Sequence, residues 1–276
     1  MRKEEKMRRG FSVFSITVLC AALLSAALLS ATLLAGCTKK DAPAAPQQVT
    51  LNVFAAASLT EALNEIAELY KTTAPQVTLA FNFQSSGTLQ TQIENGAEAD
   101  LFLSAAQRQM NALAGVYIDD ATRKDLLVNS VVLIVPQGSN KGISSFQDCL
   151  TSKVSLMALG NSDVPVGQYA EEIFKFLNGW DIVRAKASLG TNVKEVLSQV
   201  ESGSVDCGVV YSTDAATAKG VTVVADAPAG SHQPVVYPAA VVKSSPNAQA
   251  AQAFLNFLST PQASAVFDKI GFTVVK

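Results

Sequence analysis

Histidine and cysteine, the usual ligands of transition metals, are scarce in this 276-residue chain, which has one histidine and four cysteines. The histidine, His232, lies in the stretch Gly230-Ser231-His232-Gln233-Pro234, which is typical of an exposed loop. None of the cysteines has the C-x-x-C spacing of a zinc site. We therefore expect no metal ion held directly by side chains, and chemistry that needs a histidine base is disfavoured.

An excess of positive charge is also lacking. Lys and Arg total 21 against 23 Asp and Glu, a formal net charge of −2. Without residues 1–36, which hold five basic and two acidic side chains, 16 basic and 21 acidic residues remain. Nucleic-acid-binding domains carry basic patches, so this composition predicts no nucleic-acid partner. With 49% hydrophobic residues, the rest of the chain can bury a substantial core.

The N-terminal segment differs in composition from the rest of the chain. Residues 1–10 are rich in Lys and Arg, and residues 11–35 contain no charged side chain. The run ends at Leu34-Ala35-Gly36-Cys37, which resembles the lipobox of bacterial lipoproteins. We predict a lipoprotein signal peptide over 1–36, lipidation of Cys37, and a membrane-anchored tether over 37–48. The alternative is an uncleaved membrane anchor, and either interpretation places the domain outside the cytoplasm.

Two of the four cysteines remain in the domain. Cys20 lies in the predicted signal peptide and Cys37 is the predicted lipid site, which leaves Cys149 and Cys207. We expect these two to be buried thiols, because Cys207 lies in a strand-like run and no spacing pairs it with Cys149. A disulfide remains an alternative in an oxidising compartment.

Strand and helix patterns alternate along the domain, which predicts an α/β fold with a mostly parallel sheet. The predicted strands cover residues 50–55, 78–83, 101–104, 130–135, 154–158, 208–211, 221–225 and 235–242, and the predicted helices cover 59–71, 87–95, 107–114, 144–150, 167–177, 193–201, 248–258 and 261–270.

Two series of such units are joined by the long strands near 130–135 and 235–242. We predict two lobes, the first formed by residues 49–129 plus 240–276 and the second by residues 130–239. Ligands of open α/β sheets bind beyond the carboxyl ends of the strands, so a cleft between the lobes is the expected site.

Five joints between a predicted strand and the following helix expose small or hydroxyl residues. Ser58 and Ser86 belong to the first lobe, and Val166, Val193 and Tyr211 belong to the second. Free N–H groups at helix N-termini, together with hydroxyl groups, form an anion site. For Ser58 alone a structural role is the alternative, because Ser58-Leu59-Thr60-Glu61 also fits a capping box.

Six motifs between residues 51 and 275 are specific enough to indicate a family. They are Phe54-Ala55-Ala56-Ala57-Ser58-Leu59-Thr60, Ser85-Ser86-Gly87-Thr88-Leu89, Ala99-Asp100-Leu101-Phe102-Leu103-Ser104-Ala105, Val164-Pro165-Val166-Gly167-Gln168-Tyr169-Ala170, Gly208-Val209-Val210-Tyr211 and Lys269-Ile270-Gly271-Phe272. In these motifs the chain resembles the molybdate-binding proteins of bacterial ABC importers, and the resemblance extends over residues 51–275.

This resemblance implies a two-lobed type II periplasmic-binding-protein fold and a transport role without catalysis. It implies that Ser58 and Ser86 bind the oxyanion through hydroxyl and N–H, Val166 and Val193 through N–H, and Tyr211 through its phenol. The ligand would be molybdate or tungstate, with molybdenum held only as its oxyanion and with no cofactor. It further implies a monomer that delivers the ligand to the permease of an ABC importer.

Two positions depart from the family pattern. Gly87 stands where another serine is frequent, which puts an additional hydroxyl near the ligand in doubt. Val166 stands where alanine is common, and its extra methyl groups are expected to narrow the cleft.

The five positions include no Lys or Arg, so the predicted site is a neutral cage of hydrogen-bond donors. Such a cage favours a fully deprotonated anion and disfavours phosphate, which carries a proton near neutral pH. A sulfate receptor is the nearest alternative, because sulfate is also a tetrahedral dianion. A serine hydrolase would need a base and a G-x-S-x-G elbow, which are missing, and the signal and acidic balance oppose the effector domain of a transcription factor.

Overall fold

The computed structural model describes residues 48–275. The predicted signal peptide, Cys37 and the tether up to residue 47 lie outside these residues. No helix within residues 48–275 is both long enough and apolar enough to cross a lipid bilayer.

Eleven strands and nine α-helices are defined in the described part of the chain. The strands are β1 Val49–Ala56, β2 Val77–Gln84, β3 Leu101–Leu103, β4 Lys124–Asn129, β5 Val131–Pro136, β6 Met157–Gly160, β7 Ala187–Gly190, β8 Cys207–Tyr211, β9 Val221–Asp226, β10 Val235–Val241 and β11 Thr273–Val274. The helices are α1 Thr60–Thr73, α2 Ser86–Glu94, α3 Gln107–Leu113, α4 Pro165–Phe176, α5 Trp180–Arg184, α6 Val193–Glu201, α7 Ser212–Thr217, α8 Ala248–Phe257 and α9 Pro261–Ile270. Two 3₁₀ helices cover Ala57–Leu59 and Phe146–Leu150.

The strands form two separate sheets, one for each lobe. The first has the order β11-β4-β10-β3-β1-β2 and the second the order β7-β6-β8-β5-β9. In the first sheet β1 pairs in parallel with β2 and β3, and in the second β6 pairs in parallel with β7 and β8. The other pairs are antiparallel, so the prediction of a mostly parallel sheet was wrong. Both sheets are mixed because strands that join the lobes enter them in the opposite direction.

The chain crosses between the lobes twice. Strand β4 of the first sheet leads through the single residue Ser130 into β5 of the second, and β9 of the second leads through residues 227–234 into β10 of the first. The prediction assigned residues 235–239 to the second lobe, whereas the whole of β10 pairs with β3 and β4 in the first sheet. Antiparallel pairing on both sides of β10 fixes it there.

Three short elements, β4, β11 and α5, were not predicted, and β7 and α7 were predicted only as parts of the joints at Val193 and Tyr211. Strand β4 opens with Lys124 and Asp125, whose charges mask its apolar pattern, and β7 is an edge strand with an exposed Leu189. The strand predicted at 154–158 begins instead at Met157.

The cores are apolar and contiguous beneath the helices. In the first lobe, Leu63, Ile66 and Tyr70 of α1 are buried, and the Tyr70 ring lies 4.9 Å from the rings of both Phe254 and Phe257. This packing holds α1 against α8.

Candidate ligand-binding site

The predicted site residues lie where strands end and helices begin. Ser58 follows β1, Ser86 follows β2 and opens α2, and Tyr211 ends β8. Val166 is in the first turn of α4, after β6, and Val193 opens α6, after β7. All five are at least 97% buried. The joints that the sequence predicts are therefore present in the structure.

A small cavity of about 10 Å³ lies at these joints, between residues of both lobes. Its lining consists of Ala56, Ala57, Ser58, Gln84, Ser85, Ser86, Ala105, Val164, Pro165, Val193 and Tyr211. No charged side chain is in this lining. A cavity of this size holds about one water molecule, so a tetrahedral oxyanion fits only after the lobes move slightly apart.

The Ser58 hydroxyl is oriented by a hydrogen-bonded chain that the sequence did not predict. The Asn129 side-chain oxygen accepts from Ser130 N at 2.9 Å and from Ser212 Oγ at 3.0 Å, which fixes the amide orientation. Asn129 Nδ2 then donates to the Tyr237 hydroxyl at 3.3 Å. Tyr237 therefore has its proton available for Ser58 Oγ, 2.9 Å away, and Ser58 keeps its own proton for another acceptor.

The other two hydroxyls are donors for related reasons. Ser86 Oγ accepts from Ala105 N at 2.9 Å, so its proton is also available. The buried Tyr211 hydroxyl has no hydrogen-bond partner among residues 48–275. Burial raises the pKa of Tyr211 well above its ordinary value, so this phenol stays protonated at neutral pH.

Backbone N–H groups add to this donor set. Helices α2 and α6 are capped by Ser85 and Asn192, whose side chains accept the N–H of the third helical residue. The N–H groups of Ser86 and Val193, at the first helical position, have no partner within their helices. Val166 follows the proline that opens α4, so its N–H is the first available in that helix.

The structure does not support the alternative role of Ser58 or the possible effect of Val166. Ser58 does not form a capping box, because its hydroxyl bonds to Tyr237 and Glu61 instead pairs with Lys194. The side chain of Val166 does not narrow the cleft, because it is fully buried in the hydrophobic core and does not line the cavity.

The departure at Gly87 has a steric basis in the structure. Gly87 N of the first lobe donates to Asp163 O of the second at 3.0 Å. A Cβ atom at position 87 would lie 2.3 Å from that carbonyl oxygen, which is too close for any side chain. The lobes can therefore approach this closely only with glycine at this position.

A charged cluster joins the lobes through α1 and α6. Lys194 of α6 lies 2.8 Å from Glu61 of α1 and 2.9 Å from the fully buried Asp214. Burial raises the pKa of Asp214 to about 6, although Lys194 opposes the shift. Burial lowers the pKa of Lys194, but Asp214 and Glu61 outweigh this effect, so its pKa lies above the ordinary value.

The site has donors but no catalytic base. In the described part of the chain, Ser58 and Ser86 contact a tyrosine hydroxyl and a backbone N–H, neither of which removes a proton from serine. Within the described residues no cluster of His, Cys, Asp and Glu could hold a metal ion. Sequence reasoning missed Tyr237 and Asn129, and only their positions near the predicted lobe connections could have suggested a role.

Comparisons with known proteins were consistent in describing solute transport. A profile of bacterial extracellular solute-binding proteins matches residues 51–273. YvgL of Bacillus subtilis (strain 168), named as a candidate ABC transporter substrate-binding lipoprotein, is 41% identical over 87% of this chain and 92% of its own length. The molybdate-binding protein ModA of Escherichia coli (strain K12) is 42% identical over 81% of this chain and 89% of its own.

A solved structure agrees with these matches. The substrate-binding domain of a candidate molybdenum ABC transporter from Clostridium difficile is 40% identical and superposes with a TM-score of 0.63. The alignment covers 83% of this chain and all of that domain.

Proposed function

The chain belongs to the bacterial extracellular solute-binding proteins, and we propose that it binds molybdate between its two lobes and delivers it to an ABC importer. The observation that carries this proposal is the uncharged cavity in which hydroxyl and N–H donors of both lobes meet. Its hydroxyls and free N–H groups all offer protons, and no carboxylate or cation lines it.

The donor set is sufficient for tight binding. We assign the oxyanion to the hydroxyls of Ser58, Ser86 and Tyr211 and to the N–H groups of Ser58, Ser86, Val166 and Val193. At about 1.5–3 kcal/mol for each hydrogen bond to a charged group, the gross gain is on the order of 10–20 kcal/mol. The costs of association and ordering reduce this gain, and a dissociation constant near or below about 1 μM remains.

The same donors explain which anions are accepted. A protonated phosphate would bring a donor into a site that offers only donors, so it is rejected. Tungstate has the charge and tetrahedral shape of molybdate, so we infer that it binds at the same site. Sulfate can meet the same donors but is smaller, so its bonds to a cage fitted to molybdate are longer and weaker.

Burial of the site requires the lobes to move. Because the five predicted ligand residues are at least 97% buried, the anion can enter and leave only when the lobes separate. The two strand crossings are the natural hinge. We infer that the permease of the importer promotes this opening, and that the protein acts outside the cytoplasm as a monomer held to the membrane by lipid on Cys37.

Calorimetric titration of the mature protein with molybdate, tungstate, sulfate and phosphate tests the proposal. We expect one molybdate or tungstate per chain, bound at least about tenfold tighter than sulfate, and no heat from phosphate. The proposal is wrong if sulfate binds tightest or if none of the oxyanions releases heat.

Four variants test the donor assignment. Ser58→Ala, Ser86→Ala and Tyr211→Phe each remove one hydroxyl and should weaken molybdate binding by about 1.5–3 kcal/mol. Val166→Ala is the matched control, because it retains the N–H and should change the affinity much less. Loss of melting temperature without loss of affinity in the serine variants would show that these residues are structural.

A further inference from the structure

The two cysteines of the described domain lie in contact in the second lobe. Cys149 lies in the 3₁₀ helix Phe146–Leu150, and Cys207 opens β8. Both are 0% exposed, and their Sγ atoms are 3.9 Å apart. The structure holds them as free thiols. A disulfide requires about 2.05 Å between the sulfur atoms, so bonding needs the two sulfur atoms to approach by about 2 Å.

We propose that Cys149 and Cys207 form a disulfide in the exported protein. Sequence spacing gave no reason to pair them, since they are 58 residues apart, but the fold places each as the other's neighbour. Extracellular solute-binding proteins work outside the reducing cytoplasm. In such oxidising surroundings, pairs of neighbouring cysteines form disulfides that persist. The proposal does not depend on which anion the cavity binds.

The bond forms by exchange with the disulfide of an extracytoplasmic thiol–disulfide oxidoreductase. One cysteine loses its proton and its thiolate attacks the oxidant's disulfide, which gives a mixed disulfide and releases the first thiolate of the oxidant. The second cysteine, also deprotonated, attacks the cysteine sulfur of the mixed disulfide and releases the second thiolate. The protein loses two protons and two electrons, and the oxidant's disulfide becomes a dithiol.

Because both cysteines are buried in the folded protein, the exchange can occur only before folding is complete. The contact with Cys149 and burial both raise the pKa of Cys207 well above its ordinary value, so Cys207 is almost never a thiolate in the folded protein. No oxidant can reach two fully buried sulfur atoms. The disulfide therefore forms during export and folding, before the second lobe closes over the pair.

The position of the bond defines its effect. It would tie the start of β8 to the 3₁₀ helix, and β8 ends at Tyr211 in the cavity. The link would close a loop of 58 residues in the unfolded chain, which predicts a melting temperature about ten degrees higher than that of the reduced protein. Oxyanion affinity should change little, because neither sulfur lines the cavity.

Peptide mapping of the full-length protein, taken from the membrane fraction after acid quenching and thiol blocking, tests the proposal. The two cysteines fall in the tryptic peptides 142–153 and 195–219. We expect these peptides to be found covalently joined, with the mass of their sum less two hydrogen atoms. Recovery of both peptides separately, each with a blocked thiol, would overturn the proposal.

A Cys149→Ser variant is the matched control for stability. It retains the small side chain but leaves Cys207 without a partner, so its peptide 195–219 must carry a blocked thiol. Because reductant cannot reach the buried bond in the folded protein, both proteins are unfolded in denaturant and refolded in the presence of reductant. The native chain should then melt about ten degrees lower than before this treatment, and the melting temperature of the variant should be unchanged. An equal response in the two proteins contradicts a disulfide.

Discussion

Removing the Tyr237 hydroxyl should weaken anion binding through Ser58 and by no other route. Tyr237 does not line the cavity, but its hydroxyl lies 2.9 Å from Ser58 Oγ and is itself fixed by Asn129. In a Tyr237→Phe variant the Ser58 hydroxyl is no longer held with its proton toward the anion. The ring contacts with Tyr211 and Phe272, at centroid distances of 5.8 and 5.4 Å, are retained, so the fold should be preserved.

The expected magnitudes depend on the bonds that each variant loses. Ser58→Ala removes a hydrogen bond to a charged group, worth about 1.5–3 kcal/mol, or about 10–150-fold in affinity. Tyr237→Phe removes one neutral hydrogen bond, worth about 0.5–1.5 kcal/mol, or about 2–12-fold. If Tyr237 acts only by orienting Ser58, the double variant should bind as weakly as Ser58→Ala alone.

Calorimetric titration with molybdate measures this double-mutant cycle, and melting temperatures of the ligand-free proteins report folding. Tyr169→Phe is the control, because it removes another buried tyrosine hydroxyl, one that makes no hydrogen bond to Ser58. The reasoning is refuted if the loss of binding free energy in the double variant equals the sum of the two single losses to within about 0.5 kcal/mol. Such additivity is the behaviour of independent residues, whereas coupled residues deviate from it.

Three further predictions concern closure, pH and export. Gly87→Ala should weaken molybdate binding at least about tenfold without lowering the melting temperature of the free protein, because the added Cβ meets Asp163 O at 2.3 Å only when the lobes are closed; native affinity would contradict this. The pKa of Asp214 rises from 3.8 to about 6 on folding, so the carboxyl group contributes stability below about pH 4 that is lost as the pH rises through 6. As the pH rises from about 4 to above 6, the unfolding free energy of the native chain should fall by on the order of 2–3 kcal/mol relative to that of the Asp214→Asn variant. If the difference in thermal unfolding between the two proteins does not change with pH, the prediction is wrong. Cys37→Ser should release the protein from the membrane fraction or block its processing, and unchanged fractionation and mass would exclude lipidation there.

Local patterns were enough to predict most elements and the joints between them. The bounds of α6 and α9 match the predicted helices residue for residue, because each has a strong apolar stripe, and α9 also has a proline at its start and a glycine at its end. The joints at Ser58, Ser86 and Tyr211 arise where strand runs stop at small or hydroxyl residues. Such signals lie within a few residues of one another, so sequence alone contains them.

Features that depend on contacts between distant residues could not be predicted from the sequence. The mixed direction of the sheets and the place of β10 in the first lobe depend on pairing between distant strands, to which hydrophobic periodicity is insensitive. The meaning of Gly87 depends on Asp163, which lies 76 positions away in the other lobe. A pattern around residue 87 contains no trace of that contact.

The sequence by itself determined the alternation of strands and helices, the donor residues at their joints and the absence of charge among them, because these are properties of short segments. Only the tertiary structure decided that Asn129 and Tyr237 orient Ser58, that Cys149 meets Cys207, and that Lys194 joins Glu61 to Asp214. These contacts join residues 58 or more positions apart in all but one case. Hydrogen-bond direction, thiol proximity and the pKa of a buried carboxyl group depend on distances across a packed interior, and those distances exist only once the two lobes have folded and closed.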